Sequence, residues 1–377
     1  MRPRPDRIER LPEQYFAALL ARVAEAAARD GEPVLDLGRG NPDLPPPPHV
    51  AERLAETALS REAAVHGYAP FSGLPRLKEA VAHRYRTAYG VELDPEREIA
   101  VVPGIKTALV EFALCVVERG ETMLLPEPGY PDYLSAVALA GAQLETIPVE
   151  PIPVEPRPDF DAAPADAAAV YLNYPSNPVA VAAPDGVFAD AVRYSERTGA
   201  LVLHDFAYGD LVFDGRRPSS FLAEPGAREV GVELFAMSKS YGMAGWRLGF
   251  VVGNAELVRR VELLQAHLRA GIFAPLQEAA VAALLGPQDT VEERRAVYEA
   301  RRDRVVATIP GAQSEGTFFV WAPLPEGVTA ARILEETRVA VAPGEGFGRL
   351  GAGRARLSLA VSDEHLDEAL GRLARYF

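Results

Sequence analysis

Lysine is nearly missing from this chain. Its 377 residues carry 39 basic side chains, of which only Lys78, Lys106 and Lys239 are lysine and the other 36 are arginine. Arginine stays protonated in proteins, whereas a lysine amine can lose its proton and form an imine with a carbonyl. Each lysine is therefore a candidate for chemistry that arginine cannot do. Cysteine is scarcer still. The single Cys115 cannot close an internal disulfide, and its place in the apolar run Val110 to Val117 reads as a buried structural thiol rather than a nucleophile. Basic charge is also short, 39 residues against 53 acidic ones, for a formal net charge of −14. Without a long basic run the chain lacks the electrostatic footprint for nucleic acid or an anionic membrane. No segment approaches the apolar length of a membrane span. The start, with Arg2, Arg4, Asp6, Arg7, Glu9 and Arg10, lacks the apolar core of a signal peptide, so the expectation is a cytoplasmic protein.

What is present is the composition of a globular protein, 48% hydrophobic and 24% charged, long enough for two domains or one large core. Short β-branched runs recur at Ile99 to Val102, Met123 to Leu125, Leu144 to Val149, Ala168 to Asn173, Ala200 to His204, Val232 to Met237 and Leu248 to Val252. Helical spacing fills several intervals: Thr107 to Glu118, Pro131 to Ala140, Gly186 to Thr198 and Ala255 to Ala270. This alternation predicts an α/β domain with a mostly parallel sheet and ligand sites at the strand C-terminal ends. Beyond about residue 276 follow a charged helix, Gln288 to Ile309, the strand candidates Thr317 to Ala322 and Ala355 to Ala360, and a closing helix, Asp363 to Tyr376. These predict a smaller α+β domain built from both termini, joined by the helix Pro12 to Arg29. The expected division is a large domain over 46–275 and a small one over 1–45 and 276–377. The proline-rich stretch Pro148 to Pro164 reads as a surface connection. Gly346-Phe-Gly348-Arg-Leu-Gly351 has dinucleotide-fingerprint spacing, but it precedes a strand and lies outside any βαβ unit, so it reads as a decoy.

Lys239 follows an apolar strand in Phe235-Ala-Met-Ser-Lys-Ser-Tyr-Gly-Met-Ala-Gly-Trp-Arg247. That placement suits an imine to an aldehyde whose phosphate Arg247 holds; a plain surface-turn lysine is the alternative. Asp205 ends a strand and Tyr208 follows three residues on. A carboxylate there can pair with a protonated ring nitrogen and the phenol can reach the same ring's hydroxyl, or the pair is a helix cap with a core tyrosine. His204 faces the other side of the strand and reads as core. Pro103-Gly-Ile-Lys106-Thr opens an apolar helix whose first N–H groups would cradle a phosphate, the Lys106 side chain itself facing solvent. Lys78, in the charged helix Leu74 to Arg86, reads as a solvated face.

These segments, with Asn173-Tyr-Pro-Ser-Asn177-Pro, Leu35-Asp-Leu-Gly-Arg-Gly-Asn-Pro-Asp, Pro126-Glu-Pro-Gly-Tyr-Pro-Asp-Tyr and Gly353-Arg-Ala-Arg356-Leu-Ser, resemble the class I aminotransferases, pyridoxal-phosphate (PLP) enzymes of the aspartate aminotransferase fold. The likeness spans nearly the whole chain and is strongest to a bacterial subgroup of methionine-salvage and LL-diaminopimelate aminotransferases. It implies that Lys239 holds PLP as an imine and shuttles the substrate proton, that Asp205 keeps the pyridine nitrogen protonated, and that Tyr208 and Asn177 bond the ring hydroxyl. Tyr130 would stack on the ring, while Arg247 and the backbone of Ile105 and Lys106 bind the phosphate. Tyr68 would reach the phosphate of a neighbouring subunit, which implies a homodimer. Arg356 would clamp the substrate carboxylate, helped by the Gly40 N–H and with Asn177 close by. Arg39 would face the substrate side chain, reading a polar or acidic distal group, or else point to solvent or pair with Asp43.

Two positions depart from the family pattern. Ala236 stands where a phosphate-binding Ser or Thr is usual, and Pro178-Val179-Ala180 replaces Pro-Thr-Gly, which puts the placement of Asn177 in question. The resemblance implies ping-pong transfer through the pyridoxamine form between an L-amino acid, with methionine, glutamine and glutamate foremost, and a 2-oxo acid. LL-diaminopimelate or aspartate are the other substrate readings. A lyase acting by elimination on the same fold and a non-catalytic PLP-binding regulator are the competing functions.

Overall fold

The apolar runs become strands and the longer amphipathic intervals become helices in the computed structural model, which describes residues 3–149 and 157–377. In chain order the strands are β1 Leu35–Asp36, β2 Ile99–Val102, β3 Thr122–Glu127, β4 Gln143–Pro148, β5 Ala167–Asn173, β6 Leu201–Asp205, β7 Gly231–Ala236, β8 Gly249–Gly253, β9 Phe319–Pro323, β10 Val339–Ala340, β11 Ala342–Pro343 and β12 Arg354–Ser358. Seven of them form one sheet in the order β2-β8-β7-β6-β5-β3-β4. Only β8 runs antiparallel to its neighbours. The mostly parallel α/β sheet expected from the sequence is the one observed. Residues 150–156 of the connection Pro148 to Pro164 lie outside the described residues.

Period-two alternation buries both faces of this sheet. Ala169 and Tyr171 of β5 point into one apolar layer with Leu203, Leu234 and Val251, under the helices Ile105–Val116 and Tyr133–Ala140. Val170 and Leu172 point into the opposite layer with Val202, Phe235 and Phe250. The register sets Asn173 beside Asp205 at the C-terminal edge of the parallel strands. A third core, around Phe318, Phe319, Val320 and Leu357, belongs to the C-terminal part. There β9, β12 and β11 form an antiparallel sheet, and β1 pairs with β10, tying the N-terminal segment to the C-terminal one.

Two side chains sit otherwise than their sequence neighbourhood suggests. Lys78 is not a solvated face: its side chain is 7% exposed and Nζ pairs with Glu262 Oε1 at 2.9 Å. Packing of the helix Pro75–Arg84 buries the aliphatic stem, and the ion pair compensates the buried charge. Cys115 is half-buried rather than buried, and burial together with Glu111 raises its thiol to about 11, which leaves it an unreactive thiol.

Candidate active site

Three structural joints meet at the C-terminal edge of the large sheet and enclose a cavity of about 430 Å³. Its walls include Ile105, Lys106, Tyr130, Asn173, Asn177, Asp205, Tyr208, Lys239, Arg247 and Arg356, with Arg39 and Gly40 towards one side. Every site residue named from the sequence is therefore in one place except Tyr68. That residue is 92% exposed and does not line the cavity.

The first joint is the end of β6. Asp205 is buried, its Oδ2 accepting from the Tyr133 hydroxyl at 2.8 Å and its Oδ1 from the Ala207 N–H at 3.2 Å. Burial raises its carboxyl, and the Tyr133 bond opposes the shift. Tyr208 packs edge-on against Phe318 and Phe319, and burial pushes its phenol up. Asn173 donates to the Asp205 carbonyl at 2.8 Å and accepts from the Asn177 N–H at 2.7 Å. The altered turn after Asn177 therefore does not displace it. Ala180 supplies a φ of 60°, a conformation that glycine adopts more easily.

The second joint follows β7. Lys239 lies in the short helix Met237–Ser240, its amine 5.0 Å from the Phe318 ring centroid and 5.8 Å from that of Tyr208. Burial, reinforced by the charges of Arg356 and Arg247, lowers this amine to about 8. A neutral, nucleophilic fraction exists near neutral pH, which an exposed lysine would lack. Gly104, at φ 83°, lies so close to Arg247 that a Cβ there would overlap the guanidinium. The open N-terminus of the helix Ile105–Val116 and this arginine thus face one spot, the arrangement that holds a phosphate. Ala236 and Ser238 line the cavity beside it.

The third joint crosses from β12 to the N-terminal segment. Arg356 is 1% exposed; Nη1 donates to Asn177 Oδ1 at 2.8 Å and Nη2 to the Gly38 carbonyl at 2.9 Å. Its guanidinium lies 3.8 Å from the Phe319 ring centroid and 4.8 Å from that of Phe347. Desolvation lowers it to about 10, and its buried Nε has no hydrogen-bond partner among the described residues. Such a group calls for an anion. A Cβ on Gly40 would stand 2.7 Å from Phe319, so only glycine leaves room for backbone to pass that ring.

Several contributors escaped the sequence reading. Tyr133 was visible inside the Pro126 to Tyr133 motif but carried no assigned role. Phe16, Phe319 and Phe347 carried no signal as individual residues, because what they do is surround Arg356 from three separate segments. The glycine pattern at Gly346 explains itself here: Gly346 abuts the Tyr15 ring and Gly351 the Gly344 carbonyl, holding Phe347 against Arg356. Lys106 does not simply face solvent. It pairs with Asp132 at 2.9 Å, and Asp132 also accepts from Gln14 at 2.9 Å. Arg39 makes no ion pair with Asp43, which is taken by Arg301 and Tyr298. His204 is core as expected, fully buried on the far face of β6.

Comparisons with known proteins show the family. The family model "Aminotransferase class I and II" matches residues 32–373. The chain is 42% identical to the L-glutamine–4-(methylsulfanyl)-2-oxobutanoate aminotransferase of Bacillus subtilis, over 98% of this chain and 95% of that protein. It is 38% identical to the LL-diaminopimelate aminotransferase of Moorella thermoacetica, over 98% and 97% of the two chains. The solved structure of substrate-bound BacF from Bacillus subtilis superposes with a TM-score of 0.93 at 37% identity, covering 100% of this chain and 98% of that one.

Proposed function

We propose that this chain, which belongs to the class I and II aminotransferases and is a PLP-dependent transaminase, transfers the amino group of glutamine-, glutamate- or methionine-type L-amino acids to 2-oxo acids. The observation that carries the reading is convergence. A lysine with a lowered amine, a buried carboxylate and a buried guanidinium whose Nε–H has no partner among the described residues face one cavity of the size a small cofactor and an amino acid need. The glutamine-dependent relative supports this substrate class, and the LL-diaminopimelate aminotransferases among the relatives keep that substrate as the alternative.

The residues fit PLP. The helix start at Ile105 and Lys106, with Arg247 and Ser238, suits the phosphate; Ser238 offers a hydroxyl that Ala236 does not. Asp205 suits a protonated pyridine nitrogen, Tyr208 and Asn177 a ring hydroxyl, and Tyr130 a ring face. When bound, PLP supplies an aldehyde for the amino group and an electron-withdrawing ring that stabilises charge at the substrate Cα. Asp205 would keep the ring nitrogen protonated, and the Lys239 amine would take up and give back the proton of the substrate Cα. Arg356 fixes the carboxylate, which orients the Cα proton towards Lys239. Tyr68 stands clear of its own subunit's cavity, and we assign it to the phosphate of a second copy in a homodimer. The same reading includes a cytoplasmic setting and the domain division 46–275 against 1–45 with 276–377.

The test is a half-reaction. Holoenzyme incubated with one amino acid at a time, without acceptor, should lose its yellow absorbance once per active site with glutamine, glutamate or methionine. A protein that stays yellow while releasing product continuously is a lyase and overturns the reading, as does full turnover by Lys239→Ala without added amines. Light scattering on Tyr68→Ala and the parent gives the oligomeric state and tests the dimer.

A further inference from the structure

We propose that Tyr133 is a positioning residue for the cofactor's ring: its hydroxyl holds the Asp205 carboxylate in the ionised form, so that the proton shared between that carboxylate and the ring nitrogen rests on the nitrogen. The proposal rests on the assignment of Asp205 to that nitrogen and goes beyond it. A carboxylate buried this deeply tends to keep a proton for itself, because desolvation disfavours the charged form. Asp205 leaves the proton on the ring only if something offsets that tendency. Tyr133 is the main offset: its hydroxyl donates to Asp205 Oδ2 at 2.8 Å, closer than the 3.2 Å bond from the Ala207 N–H to Oδ1. Hydrogen bonds donated to a carboxylate favour its ionised form. Burial, with the carboxylate beside it, holds the Tyr133 phenol well above its ordinary value, so it remains a donor throughout the working pH range.

Position separates Tyr133 from the other buried tyrosines. It does not line the cavity, so it acts through Asp205, which does. Tyr85 makes an equivalent bond to Glu233 at 2.8 Å, but Glu233 has three further donors and does not line the cavity. Tyr171, fully buried in the same apolar layer, directs its hydroxyl to the Leu109 carbonyl at 2.6 Å. The Tyr133 ring stands edge-on to both Tyr130 and Tyr171, with centroids 5.5 and 5.7 Å away, at the start of the helix Tyr133–Ala140. Those ring contacts hold the side chain without help from its hydroxyl, which is left to serve the carboxylate.

The experiment uses holoenzyme whose cofactor is isotopically labelled at the ring nitrogen for magnetic resonance, and compares the parent with Tyr133→Phe and Tyr171→Phe. Each variant deletes one buried hydroxyl and keeps its ring, so both should fold. The nitrogen resonance of the parent should lie at the protonated, pyridinium position. In Tyr133→Phe it should move towards neutral pyridine, whereas Tyr171→Phe should leave it at the parent's value. Single-turnover conversion by glutamate should slow roughly 10- to 100-fold in Tyr133→Phe, the loss of a hydrogen bond to a charged group, with little change in the half-saturating concentration. Added to Asp205→Asn, where no carboxylate remains, the same substitution should slow conversion by about twofold at most, because the two positions act as one unit. An unmoved resonance in Tyr133→Phe overturns the proposal, as does an equal displacement in Tyr171→Phe or an undiminished rate loss in the Asp205→Asn background. If glutamate leaves the parent yellow, the substrate reading fails while the resonance still decides Tyr133.

Discussion

His204 and Asp205 are neighbours on β6, point to opposite faces of the same sheet and are both buried, yet their surroundings differ in one respect that separates structure from function. On the His204 face, Glu233 is saturated. Its carboxylate takes the Tyr85 hydroxyl at 2.8 Å, the Ser220 hydroxyl at 2.9 Å, the Phe221 N–H at 2.8 Å and His204 Nδ1 at 2.8 Å. On the other face Asp205 has two donors and opens into the cavity, and Arg356 keeps a buried N–H with no partner among the described residues. Buried polar groups that are fully bonded hold a fold together, whereas those left short of partners carry a cost that a ligand can relieve.

The contrast breaks if the two carboxylates respond alike to loss of charge. Asp205→Asn keeps the shape and the Tyr133 bond but removes the charge, and transamination by the folded enzyme should fall roughly 10²–10³-fold. Thermal unfolding of the cofactor-free protein should stay level or improve, because burial already disfavours the Asp205 carboxylate. Glu233→Gln should do the reverse. It replaces an acceptor with a donor among four donors, so stability should drop by about 1–3 kcal/mol while kcat/KM of the folded fraction stays near the parent's. Matching stability losses with matching activities would dissolve the distinction.

A subtler test is pH. Lys239 sits near 8 when folded, against 10.5 for an ordinary lysine. Between these values the unfolded chain holds a proton that the folded chain has released, so stability of the cofactor-free protein should rise with pH across that window. Below about 8 both states are protonated and the strain of the buried charge is fully present. The parent-minus-variant difference in denaturant midpoint, taken with Lys239→Met, should show this rise; parallel curves would remove Lys239 from the set of strained groups. The smallest effect belongs to Asp132, which bridges Gln14 and Lys106 at the cavity edge. Because Lys106 is half-exposed, Asp132→Asn should raise KM only a few-fold, in line with about 0.2–1 kcal/mol for such pairs. Steady-state kinetics reads this directly, and a large fall in kcat would place Asp132 with Asp205 among the groups the reaction depends on instead.

Much of this was legible before any fold was drawn. Strand ends at Asn173, at Asp205 and within one residue of Ala236 follow from β-branched runs broken by polar or turn residues, because alternation and burial act locally along the chain. Lys239 stood out because lysine is scarce and its approach is apolar. Lys78 misled for the same local reason. Its neighbours in sequence are charged, but Glu262, which pairs with it, comes from a helix far away in the chain. The aromatic cage of Arg356 was illegible for the same cause.

Sequence alone thus determined the alternating α/β order and singled out Lys239, Asp205 and Arg247 as candidates, since each is announced by residue type within a few positions, whereas Arg356 entered only through the family resemblance. Tertiary structure alone decided which polar groups are satisfied. Tyr133 closes on Asp205, and Phe16, Phe319 and Phe347 enclose Arg356. Hydrogen-bond saturation and desolvation depend on atoms brought together from distant segments, and no local pattern records that sum.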